Sequence, residues 1–461
     1  MGRCAGFRRS QWEKRRGSRR RFLLSELKLR PARADIHSGL RMFTRIFCSL
    51  QTTPLCEWIQ MPTVKPSILQ WARESAGLSL EDAAAKVGIN AARGLSGADR
   101  LLALETEEGD VSRPVLLKMA KVYRRPLVSF YLDEPPVRGD RGEDFRTLPD
   151  RRTGGEPLVD ALVRDIRSRQ AVVRAVQLEE EEAQPLPFIG SMSRDDGVGP
   201  VLASIRRILG LDLAAFRAQG SADAGFALLR SRVEAAGIYV LLIGNLGSHH
   251  SAIDVDAFRG FALADPIAPF VVINDQDAKT AWSFTLLHEV AHLWIGATGV
   301  SGGHFEGAVE QFCNDVASAF LLPPRDLDQL PIARATNQDE AARLISEFAK
   351  ERLVSRSLVA YRLFRADKIS EPIWRALTST FRTQWLQSRA AQRERARGTD
   401  GGPSYYIVRR HRLGAALLNL VARNMSEGVL TPTRASKLLG VKPRSVHTLL
   451  SGGALAIEQV A

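Results

Sequence analysis

Apolar residues recur at three- and four-residue steps along most of the chain, the spacing of helices that bury one face. ILQWARESAG predicts a first amphipathic helix ending at Gly77, and SLEDAAAKVGI a second, with Ser79 and Asp82 at its start and Gly88 at its close. PVLLKMAKVYRRPLVSFYL adds a helix from Pro114 that Pro126 stops, and VDALVRDIRSRQAVVRAVQLEEEEA a long one with a solvated polar face. VGPVLASIRRILGL and FALLRSRVEAAG continue the helical pattern. At Ile238 the period changes, and IYVLLIG, FRGFAL and PFVVIN read as short strands of a small sheet. Helical spacing then returns in FTLLHEVAHLWIG and in AVEQFCNDVASAFLLPP, which Pro323 and Pro324 end. Two helices follow in 339–369, the second capped by Ser355. A last pair lies in TPTRASKLLGVKPRSVHTLLSGG, where Thr431 and Pro432 start one helix, Gly440 turns the chain and Pro443 opens the next. Between these blocks, 133–155 is rich in Pro, Gly and charge and reads as a linker, as does 391–403.

With 461 residues, 45% of them hydrophobic, the chain is long enough for several domains. No apolar run approaches the ~18 residues of a membrane span, so no membrane partner is expected. Four cysteines (Cys4, Cys48, Cys56, Cys313) show no C-x-x-C spacing, which fits a reducing cytoplasm. The net charge of +13 is uneven: residues 1–60 hold 14 Lys or Arg against 4 Asp or Glu, so +10 belongs to this tail and +3 to the rest. SRRRFLL resembles a twin-arginine export signal, but the charged SELKLRPARADIH after it lacks the apolar region that export needs. An arginine-rich arm could hold nucleic acid through phosphates. The preferred expectation is a disordered extension, such as upstream sequence preceding a true start at Met42 or Met61.

The chemistry concentrates in HEVAH. His288 and His292 lie one helical turn apart, so their imidazoles can converge on one ion, while Glu289 projects about 100° away, within reach of a water beside that ion. A metal needs a third ligand. Glu310 falls on the apolar stripe of the next helix with Cys313, Ala317, Phe320 and Leu321, and a carboxylate facing a core needs a cation. His304, Glu306 and Asp315 compete for the role, and Cys313 could ligate in principle but reads as a small hydrophobe. His304, Tyr361 and Arg259 are equal candidates for steadying an oxyanion.

The run INDQDAKTAWSFTLLHEVAHLWIG followed by VEQFCNDVASAFLLP resembles the ImmA/IrrE family of zinc metallo-endopeptidases, most closely over about 255–325. That resemblance implies Zn²⁺ on His288, His292 and Glu310, Glu289 as catalytic base, and a protein substrate such as a helix-turn-helix repressor. Cleaving it would switch on stress, phage or mobile-element genes. KMAKVYRRPLVSFYLDEPP and the order of helices before it resemble a Cro/C1-type (XRE) helix-turn-helix, which implies DNA binding. The residues argue the other way: SGADRLLALETEEGD, where a recognition helix would lie, carries five acids and one arginine, so a helical bundle for protein contact stands beside the DNA reading. The C-terminal pair suits DNA better, with Lys437, Lys442 and Arg444 and no acid.

The sequence thus predicts an α+β fold, mainly helical. A basic extension (1–60) precedes a helix-turn-helix-like domain (61–132), a linker (133–155) and a zincin-like peptidase core with a small sheet (156–325). A helix-turn-helix-like segment (326–390), a linker (391–403) and a C-terminal helical region (404–461) follow. The expected function is a cytoplasmic zinc endopeptidase; the alternative is a transcriptional regulator or antitoxin-like protein with a non-catalytic metal site.

Overall fold

Three runs rich in β-branched and aromatic residues form the strands that organise the helices: β1 (Tyr239–Leu242), β2 (Gly260–Leu263) and β3 (Phe270–Ile273). A fourth, β4 (Gly299–Ser301), is too short to carry an alternating pattern and was not anticipated from the sequence. In the computed structural model the described residues are 63–106, 111–136, 156–179, 183–247, 251–301, 307–332, 337–397 and 404–451, all within the compact unit Pro62–Ala461. The expected extension, most of the 133–155 linker, His304 and Glu306 lie outside them.

The strand order is β1-β3-β2-β4, with β1 parallel to β3 and β2 antiparallel to both of its neighbours. Every residue of β1, β2 and β3 is buried, so both faces of the sheet are covered. Alternation sends Val240, Leu242, Ala262, Val271 and Ile273 into one core and Tyr239, Leu241, Phe261, Leu263, Phe270 and Val272 into another.

A third core belongs to the N-terminal helices α1 (Pro66–Ser75), α2 (Leu80–Val87), α3 (Gly97–Thr106) and α4 (Arg113–Tyr123), through Leu69, Ala72, Leu101, Met119 and Tyr123. Ser79 caps α2 by accepting from the Asp82 N–H, and Gly88 closes it at φ +80, where a side chain would be strained. Glu105, one of the acids of the expected recognition stretch, is buried and forked by Arg73 at 2.8–3.0 Å, so its charge is spent inside the module.

Helix α5 (Glu156–Glu179) covers the second sheet face, whereas α6 (Val198–Leu209), α7 (Leu213–Arg217) and α8 (Ala222–Ala235) feed the first core. That first core also holds α9 (Lys279–Trp294) and α10 (Ala308–Leu321). After the short α11 (Pro324–Leu327), it takes in Ile345 and Phe348 of α12 (Gln338–Glu351), Leu358 and Leu363 of α13 (Arg356–Arg365), and Leu377 and Phe381 of α14 (Glu371–Arg397). One apolar core therefore runs across the boundary expected at 325/326. The expected linker at 391 begins instead as the last turns of α14, because AAQRERAR consists of strong helix formers and holds no Gly or Pro. Residues 398–403 lie outside the described residues. The C-terminal helices α15 (Tyr405–Leu413), α16 (Ala415–Ser426), α17 (Pro432–Leu439) and α18 (Val446–Ser451) join α5 on the second face. No helix among the described residues is long and apolar enough to cross a membrane.

A buried ion pair pins these C-terminal helices to the sheet. Arg230 of α8 reaches the Val240 carbonyl, donates to the His411 carbonyl at 2.5 Å and pairs with Glu234 at 3.1 Å. Glu234 in turn accepts from the N–H groups that open α16, Ala415 at 3.0 Å and Ala416 at 3.4 Å. Burial lowers the Arg230 pKa and raises that of Glu234, so each charge depends on the other. Removing one partner of such a pair costs about 3–5 kcal/mol. Arg230→Ala should therefore lower unfolding stability in urea by ~3 kcal/mol or more; an unchanged midpoint would show that the pair contributes nothing.

Candidate metal centre and its cleft

Helix α9 is a core helix: 13 of its 16 residues are buried, among them His288, Glu289 and His292. Polar side chains in such a place need partners. The two imidazoles project one turn apart, as their spacing predicts, with their Nε2 atoms 3.1 Å from each other. Helix α10 brings the third group. Glu310 sits in its first turn, where the helix dipole favours a carboxylate, and lies 3.1 Å from His288 Nε2 and 3.2 Å from His292 Nε2. The buried small residues Cys313 and Ala317 leave room for α10 to lie close to α9.

The donor set fits a metal. Two unprotonated imidazole lone pairs facing each other at 3.1 Å repel unless a proton or cation lies between them. A tetrahedral ion with bonds of ~2.0–2.1 Å sets its ligand atoms about 3.3–3.4 Å apart, close to the distances seen here. His288, His292 and Glu310 are a group that could hold a metal ion. Burial lowers the His288 pKa. At His292 burial is outweighed by the Cys313 and Glu310 side chains, which raise it, and at Glu310 the two histidines outweigh burial and hold the carboxyl well below its usual range. Asn314, one turn beyond Glu310, lies beside His288 and Cys313 beside His292, each favouring the protonated imidazole. Burial pushes the Cys313 thiol up, so Cys313 stays a thiol beside the group, in keeping with its reading as a small hydrophobe.

Glu289 is fully buried beneath β2. A Cβ on Gly260 would stand 2.7 Å from Glu289 Oε1 and 2.7 Å from Thr285 Cγ2, so only glycine lets the strand pass this close.

Of the remaining candidates, Asp315 is turned away from the cluster, accepting from the Tyr361 hydroxyl at 3.2 Å and from Arg365 at 3.0 Å. Tyr361 and Arg259 both line the cleft, Arg259 in a long contact of 3.5 Å with Asp277. His304 and Glu306 fall outside the described residues. Lys437, Lys442 and Arg444 are exposed on the C-terminal helices and line no part of the cleft.

The cleft holds about 340 Å³. Its floor is α9 with Glu310 and Asn314, and its far wall comes from Ser355–Leu358 and from Trp374, Thr378, Phe381 and Trp385 of α14. The sequence reading missed that wall, although Trp374, Phe381 and Trp385 recur at seven- and four-residue steps along one side of the helix.

A buried helix with two imidazoles one turn apart and an acid between them, met by a carboxylate from the next helix, has the construction of a metallopeptidase centre. Residues 234–364, from the end of α8 to the end of α13, match the family model of the IrrE N-terminal-like domain, Peptidase_M78, so this part of the chain is similar to a metallopeptidase domain of the IrrE/ImmA type. Comparison with curated proteins and with solved structures found no match.

Two outcomes follow from the geometry. Elemental analysis of the purified full chain should find about one divalent ion per molecule, and Glu310→Ala should lose it, since two imidazoles alone hold a metal weakly; an undiminished ion in that variant would exclude Glu310 as a ligand. Gly260→Ala should keep the metal but shift Glu289, lowering kcat by about 10²-fold, as misplacement of a reacting group by ~1 Å does; an unchanged kcat would show that Glu289 needs no such fit.

Proposed function

We propose that this protein is a zinc-dependent endopeptidase acting on a protein substrate in the cytoplasm. The observation that carries the reading is the convergence of His288, His292 and Glu310 to mutual distances of 3.1–3.2 Å, with Glu289 buried alongside. Two imidazoles and a carboxylate are a donor set suited to zinc. When bound, a zinc ion with three protein ligands supplies Lewis acidity, lowering the pKa of a water toward ~7 and polarising a carbonyl.

The chain's own residues do the rest. Glu289 takes the proton of the attacking water and hands it to the leaving amine, general acid–base work worth about 10²–10⁴-fold. Asn314 stands beside the His288 ring on the cleft floor. Arg259, permanently charged and held only at 3.5 Å by Asp277, is the favoured group for the developing oxyanion, with Tyr361 as the other cleft-lining choice. The resemblance to the ImmA/IrrE family supports a helix-turn-helix repressor as substrate, its cleavage releasing stress, phage or mobile-element genes. A subsidiary DNA contact by the C-terminal helix pair is supported by the exposure of Lys437, Lys442 and Arg444. Its mark would be retention on DNA that weakens steeply with salt.

The decisive assay incubates the purified chain with repressors encoded beside its gene, with and without chelator. Cleavage should occur, stop on chelation, and fall by ~10²-fold or more in Glu289→Gln while that variant keeps its metal. Undiminished cleavage by Glu289→Gln would remove the residue from the mechanism.

A further inference from the structure

Helix α14 begins seven residues beyond the family match, which ends at 364, yet it supplies much of the cleft wall. Three of its aromatic rings, Trp374, Phe381 and Trp385, line the cleft opposite Phe284 of α9, which precedes His288 by one turn. Each of the three is backed from its own side. Trp374 stacks on Phe364 with ring centroids 4.8 Å apart, Arg356 lies 4.6 Å from the Phe381 ring centre, and Arg389 lies 5.3 Å from that of Trp385. Together the three rings form a box along the α14 side of the cleft.

Between them, one turn from Trp374, stands Thr378. The residue lines the cleft, and its hydroxyl, covered while the cleft is empty, finds no hydrogen-bond partner among the described residues. A buried hydroxyl left this way costs about 1–3 kcal/mol, which a ligand offering a polar atom recovers. Two arginines tie the helix across the cleft mouth to the sheet side. Arg382 forks Asp256, donating at 2.8 Å to one carboxylate oxygen and also reaching the other. Arg389 donates to the Gln276 carbonyl at 2.7 Å and to its side chain at 2.6 Å.

We infer that this box is a side-chain subsite, and that the protein selects extended peptides carrying a large apolar residue beside the scissile bond, with the Thr378 hydroxyl bonding the peptide backbone. The placement beside a scissile bond rests on the peptidase reading, whereas the box itself is a property of α14. An aromatic wall with one hydroxyl set among its rings suits one bulky apolar side chain attached to an amide backbone.

The test measures binding apart from turnover. Full-chain Glu289→Gln protein, carrying its metal, is titrated with two fluorescein-labelled nine-residue peptides identical except for a central Phe or Ser, and polarisation is read. The Phe peptide should bind at least about tenfold more tightly. Trp385→Ala should abolish that preference, and Thr378→Val should weaken both peptides alike while preserving it. Equal binding of the two peptides, or a preference untouched by Trp385→Ala, overturns the subsite. Should Trp385→Ala fail to fold, Thr378→Leu fills the box from the same helix, and a preference surviving that change is equally fatal. Parallel cleavage assays of the Glu289-intact chain separate the two readings: Phe preference without cleavage keeps the box and sinks the peptidase, while cleavage without preference does the reverse.

Discussion

The molecule depends on two helices and a strand coming close enough to push polar groups together inside a core. An imidazole or carboxylate withdrawn from water loses hydration worth several kcal/mol, and α9 and α10 withdraw three such groups to one point. Small residues permit the approach: Cys313 and Ala317 on α10, and Gly260 on β2, where the backbone runs over Glu289. The cost of gathering these side chains is the reason the cluster reads as a cation site and not as ordinary core.

The cleft is a composite of distant parts of the chain. Asn274 is fully buried, donates to the Ile253 and Phe258 carbonyls at 3.1 Å and accepts from the Gln276 N–H, locking the loop before β2 to the loop after β3. Those two loops carry Asp256 and Gln276, the anchors of α14. Chemistry and wall are thus supplied by separate segments joined through a rigid rim.

Legibility from the sequence followed the range of the interactions. The HEVAH spacing, the caps at Ser79, Ser355 and Thr431, the turn glycines Gly88 and Gly440, and the three longer strands are local signals, and the structure carries all of them. Glu310 was legible because a carboxylate on an apolar stripe is locally anomalous. Long-range pairings were hidden: nothing around Glu105 announces Arg73, nor around Asp256 announces Arg382. The wall from α14 was overlooked because paired helices in 326–390 read as a separate unit, whereas burial of Leu377 and Phe381 depends on surfaces formed far earlier in the chain. β4 has only three residues, fewer than any periodic pattern requires.

The inward salt link between Arg230 and Glu234 has a bearing on how this molecule can be dissected. Because Glu234 holds the opening amides of α16, and because α5 with the last four helices forms the only lid described over Tyr239, Leu241 and Phe270, the stretch that matches a known domain is not a portable module. Excised at its sequence borders, it would present a bare aromatic sheet to solvent and surrender the cleft's outer rim as well. The segments on either side of that stretch form part of its interior.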